Sequence, residues 1–162
     1  VDNVQNSGIE GLTIDPQNQK MYLMKERQES AILVVDLKTN KVVNHFKLKV
    51  PGTVEPAFTD AAFFDGFLYV LVRSHRQILK VNPDNGQLIS IYDFRKYEEN
   101  PEYVYKKIPT LFGEADKDGY GVMEGLAVTK DSFYVVTDNN RIPLNKHLFN
   151  NKAQLFVFNK PE

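Results

Sequence analysis

The sequence predicts an all-β chain, a partial β-propeller of about three four-stranded antiparallel blades. Three observations lead there. A module recurs: Gly8-Ile9-Glu10-Gly11-Leu12-Thr13-Ile14 leads into Met21-Tyr22-Leu23-Met24, and Val122-Met123-Glu124-Gly125-Leu126-Ala127-Val128 leads into Phe133-Tyr134-Val135-Val136. Between them, Thr59-Asp60-Ala61-Ala62-Phe63-Phe64 leads into Leu68-Tyr69-Val70-Leu71-Val72. Recurrence at such a period marks solenoids, arrays and propellers. The units also read as strands: short apolar runs bounded by Asp, Asn, Gly and Pro clusters, with no long segment of 3.6-residue period to supply the helices of an α/β domain. Finally, 11 Phe and eight Tyr with no Trp suit pleated surfaces.

Taken in order, blade 1 covers about 8–50. Its strands are Gly11 to Ile14, Lys20 to Lys25 after the Asp15-Pro16-Gln17-Asn18 turn, Ala31 to Leu37, and Val42 to Leu48 after Lys38-Thr39-Asn40. The run Ile32-Leu33-Val34-Val35 is that of a strand buried on both faces. Blade 2 covers about 58–94. Ala61 to Phe64 and Phe67 to Arg73 flank an Asp65-Gly66 turn; Gln77 to Val81 and Gln87 to Tyr92 flank Pro83-Asp84-Asn85-Gly86. A polar insertion at 95–120, rich in Glu, Lys and Tyr, is expected to be a surface excursion with one helical turn. Blade 3 covers about 121–160, with strands Gly125 to Thr129, Ser132 to Thr137 and, after a long loop, Ala153 to Asn159; its fourth strand is missing. Each unit is a meander, the blade of a propeller, and three blades are too few for a ring of about four to eight. The preferred expectation places the remaining blades in an N-terminal half before Val1; the alternative closes the ring with a second copy.

Composition narrows the function classes. Twenty Lys and Arg against 21 Asp and Glu leave a net charge of −1, with no basic surplus for nucleic acid. No apolar run is long enough for a transmembrane helix. With no cysteine in the chain, disulfides, thiolate metal sites and a cysteine nucleophile are excluded. The start at Val1, without methionine or leader, reads as a processed or trimmed product.

The openings of the units supply the candidate site. Inner strands of a propeller converge on its axis, so Glu10, Asp60 and Glu124 are expected to face one another. Carboxylates held close need a counter-charge, and a hard cation with oxygen ligands, Ca²⁺ or Mg²⁺, would provide it. The competing reading gives these acids to turns and backbone amides. A second tier lies four residues past each tyrosine: Glu26, Arg73 and Asp138, joined by His75 and Arg141. It could hold a small anionic or sugar-like ligand, since an arginine fork matches carboxylate and phosphate; isolated surface ion pairs are the plainer alternative. Glu114-Ala115-Asp116-Lys117-Asp118-Gly119-Tyr120 has the start of an EF-hand loop but Gly125 at its twelfth position, which leaves an acidic turn or an irregular calcium loop. His45, His75 and His147 share no metal-ligand spacing, and no serine sits in a Gly-x-Ser-x-Gly elbow. Catalytic residues are therefore unassigned.

With the openings aligned, the chain resembles the SdiA-regulated family of bacterial β-propellers, related to the phytase-like esterase propellers. The resemblance rests on Asn6-Ser7-Gly8-Ile9-Glu10-Gly11-Leu12 with Met24-Lys25-Glu26, on Thr59-Asp60-Ala61-Ala62 with Leu71-Val72-Arg73-Ser74-His75, and on Met123-Glu124-Gly125-Leu126-Ala127 with Val136-Thr137-Asp138-Asn139-Asn140-Arg141. It implies the C-terminal half of a six-bladed, extracytoplasmic protein with a divalent cation, calcium, in its central region. Two functions stay open: a cell-envelope binding or interaction module, and a metal-dependent hydrolase of a phosphoester, ester or lactone with Glu26 or Asp138 as general base.

Overall fold

The chain is a partial β-propeller. A computed structural model describes residues 8–26, 29–52, 55–98, 122–138 and 153–161. Blade 1 holds β1 (Ile9–Asp15), β2 (Lys20–Lys25), β3 (Ala31–Asp36) and β4 (Lys41–Phe46). In blade 2 the strands are β5 (Phe58–Phe64), β6 (Phe67–Val72), β7 (Gln77–Val81) and β8 (Leu88–Asp93), and in blade 3 β9 (Val122–Val128), β10 (Ser132–Asp138) and β11 (Leu155–Asn159). Each sheet is an antiparallel meander in chain order. The first strands are neighbours across blades, β1 against β5 and β5 against β9. A 3₁₀ turn at Arg73–His75 links β6 to β7, and a short helix α1 (Arg95–Glu98) follows β8. β9 begins at Val122, earlier than the Gly125 start the pattern suggested.

Local chemistry closes the hairpins. Asp15 is buried at the end of β1, where its Oδ1 accepts from the Gln17 and Asn18 amides at 3.1 Å each. Asp36 does the same after β3, accepting from the amides of Lys38 and Thr39. Asp65 and Gly66 carry φ of 51° and 77°, the positive pair that a two-residue type I′ turn requires.

Tyrosine registers fix which face of each blade meets its neighbour. Thr13 pairs with Tyr22, Ala62 with Tyr69 and Ala127 with Tyr134. Tyr22 stacks on Phe63 of blade 2 at 6.1 Å, and Tyr69 tilts onto Phe133 of blade 3 at 5.7 Å. Around the first contact, Met24, Ile32 and Val34 pack on Phe58, Val70 and Leu79; around the second, Leu71 and Ile78 pack on Leu126, Val135 and Phe156. The core is thus two slabs, one at each blade joint. Blade 2 is covered on both sides, which is why Leu68 to Val72 are buried without a break and why β6 and β7 lack an alternation of buried and exposed residues.

Each inner strand carries a register irregularity near its start: between Ile9 and Gly11, between Phe58 and Asp60, and opposite Val136/Thr137, which skips Glu124. Beyond it, Gly11 pairs with Met24, Asp60 with Leu71 and Gly125 with Val136. Gly11, Asp60 and Gly125 therefore hold one equivalent position, and Glu10, Thr59 and Glu124 hold the bulge before it. A β-carbon on Gly11 would lie 2.5 Å from the Asp60 Cα and 2.9 Å from the Thr59 carbonyl oxygen, a clash with backbone. On Gly125 it would lie 2.5 Å from the Val136 Cγ1 and 4.0 Å from the Asp60 Oδ2, so only a side chain has to yield. Gly11→Ala should destabilise by about 1–3 kcal/mol, as overpacking does, and Gly125→Ala by clearly less. Urea unfolding of the two variants beside wild type checks the order, and equal losses would contradict the close β1–β5 approach.

Candidate functional site: the inner-strand mouth

Arg73 organises the mouth. β6 ends at Val72 and the chain tightens into the 3₁₀ turn, with the Arg73 amide donating to the Ala57 carbonyl at 3.0 Å. The side chain then reaches into both neighbouring blades. Its Nη2 pairs with Glu26 Oε1 at the end of β2, and its Nη1 donates to Glu124 Oε1 of β9 at 2.6 Å. Glu26 is buried and its carbonyl is held in turn, accepting from Ser30 Oγ at 2.7 Å and from the Phe58 amide at 3.3 Å. Arg73 Nε is buried with no hydrogen-bond partner among the described residues.

Asp60 and Thr59 form a second tie. Asp60 Oδ2 accepts from the Leu126 amide at 2.7 Å, and Thr59 Oγ1 donates to the Met123 carbonyl at 2.9 Å. Both bonds stitch β5 to β9. Burial pushes the Asp60 carboxyl above its ordinary pKa, against the pull of the Leu126 and Ala61 amides. Glu124 is raised as well: burial leads, Arg73 opposes it, and repulsion from Glu26 and Glu10 adds to it.

The expected residues thus separate into those the fold joins and those it does not. Glu26, Arg73 and Glu124 meet directly. Glu10 is exposed on β1, within electrostatic reach of Glu124. Asp60 lies one position past the two glutamates in register and bonds to backbone, so Glu10, Asp60 and Glu124 are not a symmetric ring. Among the described residues no three His, Cys, Asp or Glu side chains are grouped to hold a metal ion. The Arg73 guanidinium supplies a counter-charge to Glu26 and Glu124. Arg73 is thereby engaged by two carboxylates. Asp138 is exposed at the end of β10. Arg141, and the acidic loop around Asp116 and Asp118, lie outside the described residues.

Ser74 and His75 are a pairing that no motif flagged. Ser74 Oγ accepts from the Ala57 amide at 2.9 Å and lies 2.9 Å from His75 Nδ1. Burial, helped by nearby Arg95, lowers the His75 pKa and favours the neutral imidazole. In the tautomer that carries its proton on Nε2, the serine hydroxyl donates to Nδ1. Adjacent Ser and His are too common in sequences for the pair to be legible without the turn that folds them together.

The WD40 domain of Pan2 from Neurospora crassa is similar in structure, with a TM-score of 0.51 at 9% identity, over 96% of this chain and 38% of that one. BamB from Moraxella catarrhalis gives 0.49 at 14% identity, over 81% and 32%. For Sqt1 from Saccharomyces cerevisiae the values are 0.48 and 14%, over 95% and 32%. The chain spans about a third of the length of each of these structures, and the likeness is one of fold. No curated protein matches the sequence. Residues 2–141 match the family model described as "Phytase-like: Esterase-like activity of phytase", and the chain, matched over most of its length, belongs to that phytase-like family.

Proposed function

We propose that this chain is a β-propeller binding module whose inner-strand mouth takes up a cationic ligand, with Ca²⁺ as the simplest case. One observation carries this: Arg73 pairs with both Glu26 and Glu124, and Glu124, whose ionisation is opposed first by burial, is repelled further by Glu26 and Glu10. A cation arriving there relieves that repulsion. The described side chains are not a ready ligand set, so the ion is a ligand in this reading and not a resident cofactor. The resemblance of the Glu-Gly-Leu openings to SdiA-regulated propellers supports a place in the cell envelope.

Calorimetric titration with CaCl₂ tests the reading. Wild type should bind, and Glu124→Gln should weaken binding by about tenfold, the value of roughly 1.4 kcal/mol. The pH dependence has a defined sign. Because the Glu124 pKa is raised, protons compete with calcium beginning above the usual carboxylate range, so affinity should fall on acidification earlier than an ordinary glutamate would dictate. Absence of any calcium heat in wild type at neutral pH would end the proposal.

The Arg73 pairing has a separate consequence. Arg73→Met removes the partner of a buried carboxylate, which costs about 3–5 kcal/mol when a buried pair is broken from one side. Glu26→Gln in the same chain should recover part of the loss, because the orphaned charge is gone. Thermal unfolding of the single and double variants measures both effects.

A hydrolytic reading is supported by the description of the family and by the Ser74–His75 contact. Ser74 Oγ would add to an ester or lactone carbonyl, its proton passing to His75 Nδ1 and then to the leaving alkoxide. Water would release the acid from Ser74. In this version no metal step is required, and a neutral histidine is the form able to accept the proton. Turnover of a panel of aryl esters and lactones, lost in Ser74→Ala and His75→Asn with the fold intact, is the expected result. No turnover in wild type, or turnover unaffected by Ser74→Ala, would dismiss it.

A further inference from the structure

The guanidinium of Arg73 is held by only one of its two forks. An arginine offers an end fork, Nη1 with Nη2, and a side fork, Nη2 with Nε. Here Nη1 donates to Glu124 Oε1 at 2.6 Å and Nη2 pairs with Glu26 Oε1, so the end fork bridges carboxylates from two different blades. Nε is buried without a hydrogen-bond partner among the described residues. A buried donor that makes no bond is costly, and such a group in a folded protein calls for a reason. The two carboxylates also differ in setting. The Glu26 side chain is 6% exposed and that of Glu124 is 31% exposed, so solvent reaches the Glu124 end of the bridge far more than the Glu26 end.

We propose that Arg73 is a two-position counter-ion: at rest it bridges Glu26 and Glu124, and when a cation takes Glu124 it moves onto Glu26 alone, through Nε and Nη2. The proposal rests on the uptake of a cation at the mouth. Nη2, already on Glu26, belongs to both forks. A small shift of the guanidinium in its own plane therefore brings Nε onto the same carboxylate as Nη1 leaves Glu124. One charge-assisted bond is exchanged for another, and the orphaned Nε gains its partner. The three glutamates then divide by role. Glu124 and exposed Glu10 face the ligand, whereas Glu26 receives Arg73 and does not touch it. A ligand shifts a two-state equilibrium only through its preference for one state. Here the preferred state is the one in which Glu124 carries no internal cation.

The Arg73 Nε–H resonance in nitrogen–proton correlation spectra reads the position directly, because a hydrogen bond to carboxylate moves it downfield. Saturating CaCl₂ should move it downfield in wild type. Glu124→Gln should do so without calcium, since a neutral amide no longer holds Nη1. In Glu26→Gln the resonance should stay in place when calcium is added. A resonance that stays put in wild type while calcium gives binding heat would overturn the two positions and leave the cation reading of the mouth standing. If calcium gives no heat, the cation reading falls and Glu124→Gln decides alone: a downfield move upholds the two positions, and an unmoved resonance overturns them.

Discussion

The inner strands of this protein approach so closely that one equivalent position decides what can stand at the axis. Gly11 and Gly125 flank Asp60 there, and the absence of a β-carbon on Gly11 is what admits Asp60 so close to β1. Once there, Asp60 does the work of a cross-blade backbone acceptor, holding the Leu126 amide. The bulge before it turns Glu10 and Glu124 out of line and buries Thr59 instead. Packing of the two slabs, the direction in which each tyrosine points and the location of the mouth all follow from this spacing. Close approach without side chains is the usual reason a strand tolerates glycine, and here its effect is to make room for a charge.

At the mouth the Arg73 guanidinium pairs with two carboxylates from different blades. Arg73 is planar and permanently charged, and it can serve two carboxylates on different blades at once. A buried ion pair of this kind adds little net stability over apolar packing; its value lies in fixing the relative position of the β2 end, the 3₁₀ turn and β9. Glu26 and Glu10 both repel Glu124 there, and the proposed uptake of a cation rests on that repulsion. The same turn folds Ser74 and His75 into contact, so the two functional readings share one scaffold and differ in which of its atoms is used.

Much of the architecture was legible in the sequence. The repeat, the hairpin signals at Asp15 and at Asp65-Gly66, and the unbroken apolar run of β3 all became strands and turns where the pattern put them. What the sequence obscured was the frame at the axis. Aligning acid with acid set Asp60 beside Glu10 and Glu124, whereas the paired tyrosines set Thr59 there and move Asp60 on by one. A bulge shifts register by one residue without leaving a mark in composition. Hairpin loops of different length in blades 1 and 2 hid the offset further. The Glu26–Arg73–Glu124 contact spans three blades, and no local spacing encodes it. Two of its members were nonetheless marked by their place after the tyrosines, and Glu124 by its place at an inner-strand opening.

β6, like β7 beside it, has both of its faces covered. Its residues from Leu68 to Val72 have no solvent side, and its neighbours in the sheet, β5 and β7, shield its backbone. Blades in such a stack touch only those beside them, so order spreads from one unit to the next as in a one-dimensional array. The middle blade is then the seed: it can template the tyrosine face of blade 1 on one flank and the phenylalanines of blade 3 on the other. Loss of either outer blade leaves half of the array standing, whereas loss of β6 disconnects both.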